Sequence, residues 1–286
     1  MIDPHRFAIR SGASASNAVL RAALYAGEVH LLDAMPASER LVERVRGRLE
    51  AVLGAEPRGA QHRMSNEELF ARLGPLRREF YCDPIYNEAL RELLLATGFQ
   101  TSEVALDPLR LRVVRSRGDL EIPAARAVYY PHRDTWYAHP QTLIVWWIPL
   151  DDLAAEETFV FFPERFAVPV PNDSEQFDYD AWVADGWELK IGWQRKDSGL
   201  MARYPGLIGP VDAGRAVGFS CARAQSLLFS GAHFHQTLPQ ASGQTRFSLD
   251  FRLVHLGDEA AGVGAPNVDA RARGSALRDY IRTPAP

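Results

Sequence analysis

The chain has 286 residues, of which 47% are hydrophobic and 24% are charged, a composition typical of a globular protein that can bury a substantial core. Its 32 basic and 36 acidic residues give a net charge of −4. This balance argues against nucleic acid as a partner, because nucleic-acid-binding proteins usually carry a basic surface. No segment approaches the ~18 consecutive apolar residues of a membrane span.

The cysteines and the N-terminal segment indicate a cellular compartment. Cys82 and Cys221 are the only cysteines and lie far apart, so they provide neither a disulfide framework nor a zinc-type cluster. The segment MIDPHRFAIRSGASAS carries Asp3 and lacks the uninterrupted apolar core of a signal peptide. We therefore predict a soluble, cytoplasmic protein. The sequence does not specify an oligomeric state.

The first part of the chain, residues 1–107, has the pattern of amphipathic helices. Apolar residues recur at steps of three and four from Leu41 to Val52, which places them on one helical face. Ser65-Asn66-Glu67-Glu68 has the pattern of a capping box at a second helix start. Asp83-Pro84 is typical of an N-cap followed by a first-turn proline. We predict that these helices pack onto a sheet.

From about residue 108 the pattern changes to short strands. LRLRVVRSRG alternates apolar and basic residues, and TLIVWWIPL, ETFVFFP and TRFSLDFRLVHL are β-branched and aromatic runs between turn residues. Helices followed by about seven strands predict an α+β fold in which residues 108–256 form an antiparallel barrel or jelly roll. The chain lacks a Gly-rich phosphate loop, which disfavours a nucleotide-binding fold.

Residues 164–206 interrupt the strand pattern. A loop of this length within a domain is usually functional or disordered, and its aromatic content favours an ordered lid over a site. A basic cluster in the lid suits a substrate carboxylate, and an ordinary solvated surface is the alternative. We treat residues 257–286 as an irregular tail and residues 1–286 as one domain. Within residues 164–206 the tryptophans are Trp182, Trp187 and Trp193, and the basic cluster is Lys190, Arg195 and Lys196.

The segment YYPHRDTWYAHP contains His132 and Asp134. Side chains two residues apart on a strand point the same way, so the imidazole and the carboxylate can converge. A second histidine, His233 or His235, comes from SGAHFHQTLP. Two imidazoles and one carboxylate suit non-haem Fe(II) and leave positions open for a bidentate co-substrate and dioxygen. A His-x-Asp sequence alone is common, and a surface histidine beside an aspartate is its ordinary interpretation.

The strand RFSLDFRLV strengthens this hypothesis. Its alternation places four polar residues on one face and four apolar residues on the other. An arginine on the inner face of a barrel needs a partner, because an unpaired buried charge is costly. A ligand carboxylate held by the guanidinium fork is the natural partner. The polar residues are Arg246, Ser248, Asp250 and Arg252, and the apolar ones are Phe247, Leu249, Phe251 and Leu253.

His132-Arg133-Asp134 together with HQTLPQASGQTRFS, in which Arg246 follows His235 by eleven residues, resembles the phytanoyl-CoA-hydroxylase-like family of iron(II)- and 2-oxoglutarate-dependent oxygenases. The resemblance covers roughly residues 108–256. It implies a double-stranded β-helix core (jelly-roll, cupin-like) with the N-terminal helices packed on the sheet. It also implies functional residues: iron ligands His132, Asp134 and His235, and Arg246, helped by Ser248 and Thr237, on the distal carboxylate of 2-oxoglutarate.

The resemblance further implies an enzyme that uses Fe(II), O2 and 2-oxoglutarate to hydroxylate an unactivated C–H bond. Desaturation, epoxidation and ring formation share the same iron chemistry and stay open. The expected substrate is a small polar, carboxylate-bearing molecule such as an amino acid, a sugar acid or a natural-product intermediate, with succinate and CO2 as co-products. Halogenating relatives have a small residue at the position of Asp134, so halogenation is disfavoured. In this arrangement His233 is a core or supporting residue, and His139 lies in a loop or faces the substrate.

Other polar and aromatic residues near the motifs are secondary candidates. Gln141 is a candidate for a polar contact with the co-substrate or substrate, and Trp136 and Tyr137 are candidates for pocket walls. Strand alternation places Trp146 and Trp147 on opposite faces. The alternating arginines of LRLRVV, Arg110 and Arg112, are expected on the solvated exterior of the barrel, and contact with an anionic ligand is the alternative.

Two other classes of protein remain open. A cupin-like metal-dependent isomerase, or another metalloenzyme that does not use 2-oxoglutarate, has no need for the clamp formed by Arg246-Phe247-Ser248. A non-catalytic β-barrel binding module is the second alternative, and a complete set of three metal ligands argues against it.

Overall fold

The computed structural model describes residues 7–12, 16–121, 129–190 and 204–282. The helices in these ranges are α1 (Asn17–Tyr25), α2 (Pro36–Leu53), α3 (Asn66–Cys82), α4 (Pro84–Ala96), α5 (Gly118–Glu121), α6 (Tyr179–Lys190) and α7 (Leu256–Ala261). The strands are β1 (Ile9–Ser11), β2 (Val29–Leu32), β3 (Val104–Val114), β4 (Leu143–Pro149), β5 (Phe159–Phe161), β6 (Ser226–Ser230), β7 (His235–Thr237), β8 (Arg246–His255) and β9 (Ile281–Arg282). None of the described helices is long and apolar enough to cross a membrane.

The strands form one large sheet and one small sheet. The large sheet has the order β1-β2-β6-β4-β8-β3-β9, and β5 pairs with β7. Only β1 and β2 pair in parallel among the described strands, and the other pairs are antiparallel. The fold is therefore mixed α and β with a large, mostly antiparallel sheet. The finer assignment to a double-stranded β-helix stays a prediction.

The helix boundaries follow the capping chemistry of the sequence. Ser65 Oγ accepts a hydrogen bond from the Glu68 backbone N–H at 3.2 Å, and the Glu68 carboxylate accepts one from the Ser65 N–H at 2.8 Å. This is the reciprocal pair of a capping box. The Asp83 carboxylate accepts from the Ile85 N–H at 3.0 Å, with Pro84 in the first turn of α4. Both predicted helix starts are confirmed.

The N-terminal helices cover one face of the large sheet. Leu41 of α2 and Leu90 of α4 lie in the same buried cluster as the apolar side chains of β8. In that cluster the Trp146 ring of β4 stacks on Phe251, with ring centroids 5.3 Å apart. The burial of this shared apolar surface holds the helices on the sheet. The predicted packing is confirmed, as is the predicted alternation of β8.

The other face of the large sheet packs against the small sheet. Trp147 of β4 meets Phe159 of β5 edge to face, with centroids 5.4 Å apart, and Phe229 of β6 lies in the same cluster. Trp146 and Trp147 therefore point to opposite faces, as alternation predicts. Residues of both sheets line a cavity of about 920 Å³.

The C-terminal residues are more ordered than the sequence suggests. Residues 257–286 were expected to be irregular, but β9 pairs with β3 and the Tyr280 side chain is buried. In the predicted lid, α6 and Tyr204 lie within the described ranges. The side chains of Trp187, Trp193, Lys190, Arg195 and Lys196 lie outside the described residues.

Candidate active site

His132 and His235 lie side by side at the cavity. Their backbones form an isolated antiparallel bridge, in which the N–H of each residue donates to the carbonyl of the other at 3.0 Å. The two imidazole centroids are 4.5 Å apart. The backbone pairing thus brings together two segments that are distant in the sequence.

The two imidazoles have matching hydrogen bonds. Nδ1 of His132 lies 2.9 Å from the carbonyl oxygen of Tyr130, and Nδ1 of His235 lies 3.0 Å from that of His233. Because a carbonyl only accepts, each Nδ1 carries the proton and each Nε2 keeps a lone pair. Desolvation in the cavity lowers the pKa of His132 to about 4 and also lowers the pKa of His235. Both rings are therefore neutral near pH 7, oriented as metal-binding histidines commonly are.

Asp134 follows at the start of a short 3-10 turn, with its carboxylate buried at the same cavity. Its Oδ1 accepts a hydrogen bond from Nη2 of Arg252 at 2.9 Å. Burial alone would raise the pKa of Asp134, but the positive charge of Arg252 is the largest opposing influence and the pKa lies below its ordinary value. Asp134 is therefore an anion next to two neutral imidazoles.

Arg252 belongs to a network of opposite charges on β3 and β8. Its Nη1 donates to Asp107 at 3.2 Å, and Asp107 also accepts from Arg110 at 2.9 Å. Arg112 forms a bidentate pair with Asp250, with both distances 2.8 Å. Each of these charges is compensated by a neighbour of opposite sign, which burial requires of Asp107, Asp250 and Arg252.

Arg110 and Arg112 line the cavity, so their predicted position on the barrel exterior is wrong. β3 pairs with β8, and the polar sides of the two strands therefore lie on one face. An irregularity in the pairing between Asp107 and Arg110 lets both residues contribute to that face. The matching arrangement of arginines and aspartates on LRLRVV and RFSLDFRLV was the signal that could have predicted these cross-strand pairs.

Arg246 differs from these arginines. It is 3% exposed, yet it has no carboxylate partner among the described residues. Its Nη1 donates to the Glu157 carbonyl at 3.3 Å, its Nε is buried without a hydrogen-bond partner, and its guanidinium carbon lies 5.9 Å from the centre of the Trp147 ring. Burial lowers its pKa to about 10, so it stays charged at neutral pH. A buried cation without a counter-ion at a cavity is a binding site for an anion.

The other predicted contacts to the co-substrate are brought together only in part. Thr237 lines the cavity. Ser248 lies two residues from Arg246 on the polar face of β8, and its Oγ is buried without a partner among the described side chains, but Ser248 is not part of the cavity lining. Gln141 lies outside the lining, in the turn before β4, where its carbonyl accepts from the Ala265 N–H at 2.9 Å.

The neighbouring histidines have different positions. His233 is fully buried outside the cavity lining, and its ring centroid lies 4.6 Å from that of Phe166. His139 lines the cavity, and its Nδ1 lies 2.9 Å from the Tyr280 hydroxyl oxygen. Tyr137 also lines the cavity, whereas Trp136, predicted with it as a pocket wall, is buried elsewhere.

The donor chemistry at His132, Asp134 and His235 fits a ferrous ion, since neutral imidazoles and a carboxylate are suitable ligands. The third ligand is not pre-assembled. In the part of the chain that the structure describes, no three His, Cys, Asp or Glu side chains form a ready metal cluster, and Asp134 Oδ1 is engaged by Arg252. Binding of a metal through Asp134 therefore requires an oxygen not held by Arg252, or a small movement of the carboxylate.

Comparisons with known proteins give weak structural likenesses. No protein-family model and no curated protein matches the sequence. EvdO2 from Micromonospora carbonacea var. aurantiaca, complexed with 2-oxoglutarate, is 16% identical with a TM-score of 0.37, over 63% of this chain and 64% of that chain. The chain thus spans under two thirds of EvdO2.

Two further solved structures cover more of the chain. AviO1 from Streptomyces viridochromogenes Tue57 is 14% identical with a TM-score of 0.43, over 87% of this chain and 97% of that chain. SnoN, a non-haem α-ketoglutarate-dependent epimerase from nogalamycin biosynthesis, is 15% identical with a TM-score of 0.40, over 94% of this chain and 98% of that chain. At these scores none of the likenesses carries an argument about this chain.

Proposed function

We propose that the chain is a non-haem Fe(II)- and 2-oxoglutarate-dependent oxygenase with a double-stranded β-helix core. The observation that carries the proposal is the buried Arg246, without a carboxylate partner among the described residues, in the cavity that also holds the paired imidazoles of His132 and His235. A buried cation of this kind suits a dicarboxylate co-substrate. Fe(II) and 2-oxoglutarate would together supply the oxidising chemistry that activates O2 and inserts oxygen into a C–H bond, with succinate and CO2 as co-products.

In this proposal His132, Asp134 and His235 hold the metal. The two Nδ1–H groups are fixed by backbone carbonyls, so the Nε2 atoms are the ligands. Arg252 holds one oxygen of Asp134, which leaves the other for the metal. The charges of Asp107 and Asp134 hold Arg252 in place in turn.

Arg246 binds the distal carboxylate of 2-oxoglutarate. Its guanidinium lies over the Trp147 ring, and its burial limits the competition of water with the ligand. The Thr237 hydroxyl at the cavity, and the Ser248 hydroxyl on the adjacent part of β8, are the nearby donors proposed to assist.

A cupin-like metal-dependent isomerase is the second candidate, because the same imidazoles and carboxylate would serve it. Arg246 favours the oxygenase, because it has no carboxylate partner among the described residues and an isomerase without an oxo-acid has no use for a buried guanidinium at this place.

The test is succinate formation from 2-oxoglutarate by the Fe(II)-loaded protein in air. We expect slow, O2-dependent succinate release in the absence of substrate, and its loss in His235→Ala. Arg40→Leu, which changes an exposed arginine of α2, is the matched control and should retain the activity. Metal-dependent turnover of another substrate, without any consumption of 2-oxoglutarate, would favour the isomerase.

A further inference from the structure

The cavity extends beyond Arg246 and the proposed metal ligands along a set of aromatic side chains. We call this set the aromatic wall. One member follows Trp136 directly, and the other four belong to the predicted lid, residues 164–206, at the start of α6 and near the end of the lid. Its members, all lining the cavity, are Tyr137, Phe177, Tyr179, Trp182 and Tyr204.

The aromatic wall is continuous with the proposed metal site. The Tyr137 ring centroid lies 5.5 Å from that of His132, 6.1 Å from Phe177 and 5.8 Å from Tyr204. Trp182 lies 6.4 Å from Tyr204. Centroid distances of this size are those of interacting aromatic pairs. A molecule that lies at the Tyr137 end of the wall therefore lies next to His132.

The charges at the cavity indicate an uncharged ligand on the wall. Arg110, Arg112 and Arg252 each donate to a carboxylate. Arg115 donates to the amide oxygen of Asn66, and Arg77 has an interaction partner as well. Arg246 is assigned to the co-substrate. A substrate carboxylate would therefore compete with a partner that each of these arginines already has, whereas the aromatic wall itself carries no charged residue. The side chains of the basic cluster Lys190, Arg195 and Lys196, on which the expectation of a carboxylate-bearing substrate rests, lie outside the described residues, so that expectation stays a prediction.

The wall also offers one polar contact. The indole N–H of Trp182 is buried and has no hydrogen-bond partner in the described part of the chain. A buried donor without a hydrogen-bond partner destabilises the folded protein, and a ligand oxygen that accepts from it removes this cost. Trp182 can thus provide both a ring face and a hydrogen bond to a ligand.

We infer that the substrate is an uncharged, ring-bearing molecule that packs on the aromatic wall and accepts a hydrogen bond from the Trp182 indole N–H. The volume of about 920 Å³ lies within the range of pockets that enclose drug-sized ligands, roughly 300–1,000 Å³. It exceeds what a five-carbon diacid alone requires. The inference that this ligand is a substrate rests on the proposed function; its binding to the wall does not.

The test uses prodan, an uncharged naphthalene ketone whose emission reports transfer from water to an apolar site. We expect saturable binding of one equivalent. Binding should weaken by about tenfold or more in Tyr204→Ala and by about fivefold in Trp182→Phe, which keeps a ring but removes one hydrogen bond. Leu95→Ala, at an exposed apolar residue of α4, is the control and should bind prodan as the wild type does.

A matched pair of competitors tests whether the site prefers an uncharged ligand to an anionic one. The amide 2-naphthamide should displace prodan at least as well as the carboxylate 2-naphthoate, which has nearly the same shape. Displacement about tenfold better by the carboxylate, or wild-type prodan affinity in both Tyr204→Ala and Trp182→Phe, would overturn the inference. Failure of the oxygenase proposal would appear separately, because the wild-type protein would then bind prodan but not 2-oxoglutarate.

Discussion

Arg133 and Asp269 form an ion pair between two largely buried side chains, with Arg133 Nε 3.1 Å from Asp269 Oδ2. Arg133 lies between the two proposed ligands of the His-x-Asp motif, but its guanidinium donates to backbone carbonyls of the insertion, at 2.6 Å from Arg165 and 2.9 Å from Val168. Asp269 also accepts from the Trp136 indole at 2.8 Å. The pair therefore links the motif to the insertion and to the C-terminal segment.

The Asp269→Ala variant should be strongly destabilised. It leaves the Arg133 guanidinium buried without its counter-ion, which typically costs about 3–5 kcal/mol of unfolding free energy. Urea denaturation of the metal-free protein measures the loss. Glu92→Gln, which removes the carboxylate from the exposed Arg40–Glu92 pair, should change the unfolding free energy by only a small fraction of that amount. Equal effects of the two variants would show that the buried pair has no special structural role.

Arg246→Leu should change co-substrate affinity and protein stability in opposite directions. Loss of a buried, charge-paired hydrogen bond usually costs about 2–5 kcal/mol of binding free energy, so the Kd for 2-oxoglutarate should rise by about 30-fold or more. The ligand-free variant should be more resistant to urea, because the substitution removes a buried charge that has no carboxylate partner in the described ranges. Isothermal titration calorimetry and urea denaturation measure the two effects. An unchanged Kd for 2-oxoglutarate would show that Arg246 does not bind the co-substrate.

The carboxylates Asp134 and Asp250 should differ in their effect on metal binding. Both accept hydrogen bonds from arginines of the same strand pair and line one cavity, so Asp250→Asn is a matched control for Asp134→Asn. We expect Asp134→Asn to weaken Ni²⁺ binding by about 100-fold, since an ionised ligand is lost, and Asp250→Asn to leave it within about threefold. Calorimetric titration with Ni²⁺ distinguishes the two variants.

His139 should contribute to acid sensitivity. Desolvation and the charge of Arg252 lower its pKa to about 3, whereas an unfolded chain has the ordinary value of about 6.5. The unfolded state therefore binds the proton first, so stability is present above about pH 6.5 and is lost as the pH falls towards 3. His139→Gln should lose less unfolding free energy between pH 7 and pH 4 than the wild type, as measured by urea denaturation at each pH. An identical dependence of the unfolding free energy on pH in the two proteins would contradict this prediction.

Short-range patterns in the sequence predicted a large part of the fold. The capping residues Ser65 and Asp83 begin helices as expected, and strand alternation correctly separated Trp146 from Trp147. These features depend on local hydrogen bonds or on the two-residue period of a strand. The approach of His132 to His235 is different, because it was implied by the resemblance of the two motifs to a known family, and the structure shows the backbone bridge that joins these distant segments.

The features that the sequence did not predict depend on contacts between distant segments. The turn that contains Gln141 packs on Ala265, and Arg133 pairs with Asp269 more than a hundred positions later, and no periodicity encodes either contact. The placement of Arg112 at the cavity depends on the register of β3 against β8. A single strand pattern defines two faces, but only the neighbouring strand determines which face is inside.

The most direct test of the central claim is an anaerobic titration of the Fe(II)-loaded protein with 2-oxoglutarate, followed by visible charge-transfer absorption. The absorption should rise to saturation at one equivalent in the wild type and in His233→Gln, and it should be absent in His235→Gln. No absorption in the wild type at saturating Fe(II) and 2-oxoglutarate, or its loss in His233→Gln with retention in His235→Gln, would contradict the assignment of the metal site.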